Sequence, residues 1–391
     1  RKTRIVCISD THNQTPKLPA GDVLIHAGDL TNQGSLSELQ KTVRWLERAD
    51  FEVKIVVAGN HDITLDPPFY TAHKDSWRWP NPQDPSACRD LLLSSPSITY
   101  LENETATIKL TSPNGPHTIF TVFGSPCTPK HWNWAFQYAP DAADDVWRHI
   151  PDGVDIVVTH TPPQGHCDSG ASMGDDDRSG CPGLTKRLWE TRPLLNVCGH
   201  IHSGRGVEKV RWAGHKAEGL VDHVEVWEDP GKGSKKMSLV DLSYRAKIGR
   251  GLGRGGGWSL RGFSDSMDVG VGGQPDAAST GLSLRAEKGG PGVQPQSGDA
   301  KSMSTSSLED FALSQNEAAA QGARVEETVS GQGDIGIGHG DQAVCQMDGA
   351  LGGNVGREET VVINAAYLGA RAAGKAIGFN KPIVVDVELP V

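Results

Sequence analysis

Apolar and polar positions in the first two hundred residues fall into short runs that stop abruptly. Arg4 to Ser9 (RIVCIS), Asp22 to Ala27 (DVLIHA), Ile55 to Ala58, Asp155 to Thr159 (DIVVT) and Pro193 to Cys198 (PLLNVC) are each rich in β-branched or other apolar residues, and each empties into a polar corner. Runs of this length and make-up predict buried strands. Between the second and third, Ser35 to Arg48 sets Leu36, Leu39, Val43 and Leu46 at helical spacing, with Ser35 as N-cap and Glu38 three residues on. Strand, helix and strand in that order imply a mainly parallel, buried sheet.

The pattern then loosens. Residues 65–97 carry Pro67, Pro68, Pro80, Pro82 and Pro85 with Phe69, Tyr70, Trp77 and Trp79, and read as an elaborated loop. Tyr100 to Val122 alternates around Pro113-Asn114-Gly115-Pro116, as a hairpin does. Gly124 to Tyr138 is an aromatic loop, helices are expected over 140–149 and 181–190, and Val221 to Trp227 suits a further strand. Strand patterns return at Thr360 to Ala366 and Pro382 to Leu389.

Composition explains the gap. Of 47 glycines, 27 fall between Asp229 and Arg357, among Ser/Gly/Gln tracts with few aromatics and only a weak helical patch at 307–320. Such a stretch is not expected to pack a core. The expected organisation is a domain over residues 1–228, a disordered insertion over 229–356, and strands over 357–391 that complete the domain.

Charge and cysteine narrow the class. A formal charge of −10 offers no global positive field for a nucleic-acid polymer. Seven cysteines without a CxxC pair fit a reducing compartment better than a disulfide or zinc scaffold. No run approaches the roughly 18 apolar residues a membrane helix needs. The sequence opens at Arg1 and enters a strand almost at once, which leaves room for a leader ahead of it; a cytoplasmic location is the default expectation.

The corners where the strands end hold the chemistry. They supply Asp10, His12, Asp29, Asn60, His160, His200 and His202, oxygen and imidazole donors suited to manganese, iron or zinc more than calcium. Taken singly, Asp-x-His or Gly-Asp is usually a turn. Asp-x-His, Gly-Asp, Gly-Asn-His-Asp, a lone His and Gly-His-x-His in this order, each closing a strand, make a joint signal.

That order resembles the calcineurin-like metallophosphoesterase superfamily over residues 4–206 and again over 357–391. Gly124-Ser125-Pro126, Thr159-His160-Thr161-Pro162-Pro163 with Gly165-His166, Gly199-His200-Ile201-His202, Asn364-Ala365-Ala366 and Asn380-Lys381-Pro382 look like the metallophosphoesterase-domain branch related to class III cyclic-nucleotide phosphodiesterases. The resemblance implies an α/β sandwich of two mixed sheets flanked by helices. It makes Asp10, His12, Asp29 and His202 ligands of one divalent metal, and Asn60, His160 and His200 ligands of a second, with Asp29 shared. A carboxylate is the side chain here able to span two cations about 3.5–4 Å apart. A hydroxide between the metals would be the nucleophile, His61 would serve the leaving group, and Asp62 would orient His61.

The expected activity is a binuclear metal-dependent phosphodiesterase acting on small diesters such as cyclic nucleotides. A phosphomonoesterase or Ser/Thr phosphoprotein phosphatase would use the same site, and a non-catalytic interaction module would keep the fold alone. Asn60, His61, His166 and Arg205 are candidate substrate contacts; His166 with Asp168 equally suits loop capping, and Arg205 a surface carboxylate. His26 reads as a core residue, and Trp77, Trp79, Trp132 and Trp134 as loop packing more than as a base-stacking surface.

Overall fold

A computed structural model describes residues 1–77, 79, 81–168, 179–214, 219–243, 357–370 and 376–391. In chain order its elements are β1 (Lys2–Ile8), β2 (Val23–Ala27), α1 (Leu36–Arg48), β3 (Val53–Val57), α2 (Pro67–His73), α3 (Pro85–Leu93), β4 (Ile98–Tyr100), β5 (Glu104–Lys109) and β6 (Ile119–Ser125). There follow the short β7 (Thr128–Pro129) and β8 (Gln137–Tyr138), then α4 (Ala143–Trp147), β9 (Ile156–Thr159), α5 (Pro182–Thr191) and β10 (Leu195–Cys198). The last are β11 (Gly206–Trp212), β12 (Val221–Val226), β13 (Ser238–Asp241), β14 (Glu359–Asn364) and β15 (Ile383–Glu388).

The strands form two mixed sheets, ordered β13-β15-β1-β2-β3-β4 and β12-β11-β14-β10-β9-β6-β5. Alternation along the strands builds three apolar layers. Ile5, Ile25 and Ile55 of the first sheet share a core with Val122, Ile156, Val197 and Ile363 of the second. Their neighbours Val6, Leu24 and Val56 face Leu39, Val43 and Leu46 of α1 and Leu92 of α3. Behind the second sheet, Phe123, Val157 and Val362 pack on Trp147 of α4 and Leu184 and Leu188 of α5. The result is a four-layer αββα sandwich, and α1 starts at Ser35 with a complete capping box.

Strands β14 and β15 sit inside the sheets, between β11 and β10 and between β13 and β1. The expected boundary at 229 is corrected: residues up to 243 belong to the fold, because β13 pairs in parallel with β15 and buries Ser238 and Val240. Its four residues among glycines and lysines carry too short a pattern to stand out. The rest of the expected insertion, with its helical patch at 307–320, lies outside the described residues.

The proline-rich stretch from 65 to 97 is also corrected, since it holds α2 and α3. Pro67 and Pro85 occupy first helical positions behind Asp66 and Asp84, whose carboxylates cap the helices. Prolines there start helices; they do not break them. Among the described residues no helix is long and apolar enough to cross a membrane.

Candidate metal centre

Residues that follow β1, β2, β3, β9 and β10 meet in one cluster, so both sheets deliver donors to it. Asp10, His12 and His202 bring ligand atoms together in one group, and Asp29, His160 and His200 in another. Asp29 faces both ways. Its Oδ2 lies 3.5 Å from His12 Nε2 and its Oδ1 lies 3.3 Å from His160 Nε2. Asn60 Oδ1 is 3.1 Å from that same His160 nitrogen, and His202 Nε2 is 3.3 Å from Asp10 Oδ1. The seven expected ligands are thus together, six of them in two ligand-atom groups that a third, His12 with Asp29 and His61, links, and Asn60 through His160 Nε2.

The backbone is bent to achieve this. Asp10, His12, Asn13, Asp29 and His200 all have left-handed φ, between 43° and 67°, a region costly for residues with a Cβ. The glycines at the corners leave room for the donors. A Cβ on Gly59 would meet Asp29 and His160, and one on Gly199 would meet Ser9 and Asp10.

The donor set fits divalent cations. Both ring nitrogens of His12 are buried without a hydrogen-bond partner, which is costly unless something accepts their lone pair or proton. Burial, reinforced by His61 and His202, takes His12 down to about 3, and burial with His160 does the same to His200, so both are neutral and ready to ligate. Burial works against ionised Asp10 too, yet its bond to His202 and the nearby imidazoles hold it at about 2. Burial likewise opposes a charged His160, but Asp29 and Asp10 raise it to about 9. Its Nδ1 donates to the Ala27 carbonyl at 2.8 Å, which directs Nε2 at the cluster.

His61 stands at the cluster's edge with its own fixed direction. Its Nδ1 donates to the Asn32 carbonyl at 3.0 Å, and its backbone N–H donates to Asp29. The ring meets His12 edge-on at 4.7 Å and lies under Trp134 at 4.1 Å. Asp62 does not orient it. The Asp62 carboxylate accepts from the N–H groups of Gly59, Leu30 and Thr31 and from the Thr31 hydroxyl, tying the β2 and β3 corners together. Burial and the charge of Asp29 push this carboxyl up to about 7 against those bonds.

The two outer substrate candidates, His166 and Arg205, are not among the clustered donors. His166 bonds Glu208 at 3.0 Å and meets Trp212 edge-on, while Asp168 accepts from the N–H groups of Gly165 and Gly180, the capping alternative. Arg205 donates to Asp229 at 2.9 Å through Nη1 and to the Lys381 carbonyl at 2.8 Å through Nη2, so both terminal nitrogens are already paired. His26 is a buried strand residue bonded to Thr11.

The contacts of two supporting residues were not foreseen from the sequence. Asn364, at the end of β14, donates to the carbonyls of Cys167, Gly199 and Ile201 and so braces the Gly-His-x-His corner. Its only sequence signal is the Asn-Ala-Ala motif. Trp134 is loop packing as expected, but what it packs on is His61.

The model for calcineurin-like phosphoesterases matches residues 3–204, more than half of the chain. The chain belongs to the calcineurin-like phosphoesterase family. Within it, the chain is 37% identical to human metallophosphoesterase domain-containing protein 1 over 216 residues, covering 52% of this chain and 62% of that protein. It is 34% identical to the UPF0046 protein T07D4.2 of Caenorhabditis elegans, covering 52% of each. A protein of Emericella nidulans named probable rhamnogalacturonate lyase C is 44% identical over 54% of this chain and 18% of its own length. The chain thus spans less than two thirds of each of these relatives. All seven expected ligands, from Asp10 to His202, fall inside the family match.

Proposed function

We propose that this calcineurin-like phosphoesterase hydrolyses phosphodiesters of small molecules, cyclic nucleotides among them, with two divalent cations drawn from manganese, iron and zinc. The observation that carries the reading is Asp29, one oxygen toward each donor group. Asp10, His12, Asp29 and His202 would hold one cation, and Asn60, His160 and His200 the other with Asp29. Divalent cations there would supply charge for phosphoryl oxygens and a water of lowered pKa.

The chain's own groups complete the account. Two carboxylates among seven ligands set two negative charges against four positive ones, a surplus of two that favours an anionic ester. His61, whose Nδ1–H is held by the Asn32 carbonyl, would in its imidazolium form give the proton on Nε2 to the departing oxygen and be left as the Nδ1–H tautomer. Buried thiols suit a reducing compartment such as the cytoplasm, and the six described cysteines are all free.

The test is hydrolysis of 2′,3′- and 3′,5′-cyclic nucleotides, nitrophenyl phosphate and a phosphopeptide by the metal-loaded chain, with metal content measured alongside. Turnover of the diesters is expected; turnover confined to monoesters would make it a phosphomonoesterase, and binding of less than about one metal per chain would leave an interaction module. His61→Ala should lower turnover by about 10²–10⁴ while metal content holds. Loss of both metals in that variant would remove His61 from this role.

A further inference from the structure

A cavity of about 660 Å³ opens directly beside the donor cluster, with His202 in its wall. Volumes of this order suit a ligand group the size of a nucleoside or a drug-like molecule. A phosphoryl group bound at the cluster has two sides on which a substituent can lie. On the His61 side the room is taken: Trp134 is only 8% exposed, with His61 against it and Trp77 at 5.0 Å. On the His202 side the cavity is open.

Its walls are cross-linked from segments far apart in sequence. Arg205 joins Asp229 and the Lys381 carbonyl, while the Lys381 ammonium donates to the carbonyls of Gly231, Ser234 and Lys236. Phe379 stands in this wall, the residue 59% exposed and its ring backed by Tyr367 at 5.3 Å and a tilt of 30°. A large apolar ring kept in the open, supported from behind and facing a cavity that adjoins a reaction centre, is a stacking platform. Arg205, Asp229, Phe379 and Lys381 all lie beyond residue 204, where the family match ends.

We propose that the cavity beside His202 receives a planar aromatic or heteroaromatic substituent of the substrate phosphate, stacked on Phe379. The inference rests on the phosphoesterase reading and adds to it a specificity residue supplied by the chain's C-terminal segment. The family-shared part holds the phosphoryl group. The segment beyond it selects what the phosphoryl group carries.

The test uses the full chain loaded with Mn²⁺ and two probe pairs. Phenylphosphonate and methylphosphonate are compared by calorimetric Kd, and bis(p-nitrophenyl) phosphate and methyl p-nitrophenyl phosphate, which share a leaving group, by kcat/KM. The wild-type chain should favour the aromatic member of each pair. Phe379→Ala should shrink that preference about 3- to 10-fold, the worth of one aromatic pair, with the methyl compounds unchanged. Ala370→Trp, which fills the same cavity, should shrink it too, and Phe379→Trp should keep it. Aromatic-to-methyl ratios that none of these variants moves would overturn the subsite, whereas a phosphonate preference that depends on Phe379 in a chain turning over no ester would uphold the subsite and overturn the hydrolase reading.

Discussion

Strands β1, β2 and β3 belong to two regions built under opposite rules. Along their length every local preference agrees with the fold: Val6, Leu24 and Val56 meet the apolar stripe of α1, and the Ser35–Glu38 box closes that helix. At their ends the preferences are overruled. Five non-glycine residues around the cluster are left-handed, and neither nitrogen of the buried His12 ring has a hydrogen-bond partner. Strained residues of this kind cost about 1–3 kcal/mol each. The comparison teaches that the donor edge does not hold itself together; the strands and helix beneath it do. Changes at the edge should therefore cost activity and little stability, and changes in the body the reverse.

Asp29→Ala is the largest test of that division. Turnover should fall on the order of 10⁴-fold and metal analysis should find both positions depleted. The metal-free chain should stay folded, with a melting temperature lowered modestly at pH 7, where the His160 imidazolium loses its Asp29 partner, and lowered less above about pH 9, where His160 is neutral. A variant that instead unfolds would show that Asp29 helps to hold the sandwich together, and the comparison would fail.

Leu46→Ala probes the other region. Leu46 is fully buried between α1 and the first sheet, and truncation there should cost about 2–5 kcal/mol in denaturant titration. Metal affinity measured well below the melting range should stay within about twofold of wild type. A tenfold change would mean that helix packing sets the donor geometry directly.

How much of this was legible follows the same line. The body was read residue by residue because Leu39, Val43 and Leu46 repeat at 3.6 and the Ile55 run is bounded by a glycine. The ligands were read because each follows a strand and the motifs keep their order. What escaped depends on contacts between distant segments. Asp62 looked like a partner for its neighbour His61, yet its carboxylate closes onto Leu30 and Thr31, about thirty residues away. Asn364 braces a corner more than 160 residues before it, and Arg205 finds Asp229 because β12 runs back antiparallel to β11. Prolines 67 and 85 misled for a local reason, since the same residue opens a helix or ends one depending on the cap ahead of it.

Proton release sharpens the edge further. His160 Nε2 faces the oxygens of Asp29 and Asn60, both acceptors, and the raised value of about 9 means a proton sits there at neutral pH without metal. A bound cation must replace it. Calorimetry in buffers of different ionisation enthalpy should detect about one proton released per chain from this residue at pH 7. Apparent affinity should rise about tenfold per pH unit from 7 toward 9 and then level. The metal-free fold runs the other way: the ion pair of His160 stabilises it below about pH 6.5, and that contribution is lost as pH rises through about 9. Affinity that is flat across that window would show His160 to be neutral before metal arrives.

The smallest effect separates two residues that share one cap. Ser35 serves only the helix, whereas Glu38 accepts from the Ser35 N–H and also from Asn13 Nδ2 at 2.6 Å, reaching the strained loop that carries His12. Ser35→Ala should cost about 1 kcal/mol of stability and leave metal affinity alone. Glu38→Ala should cost a similar amount and in addition weaken metal binding a few-fold, because Asn13 loses the anchor that helps keep its backbone left-handed. Equal metal affinity in the two variants would mean that the loop is set by its strand alone, and that the line between body and edge runs between Asn13 and α1.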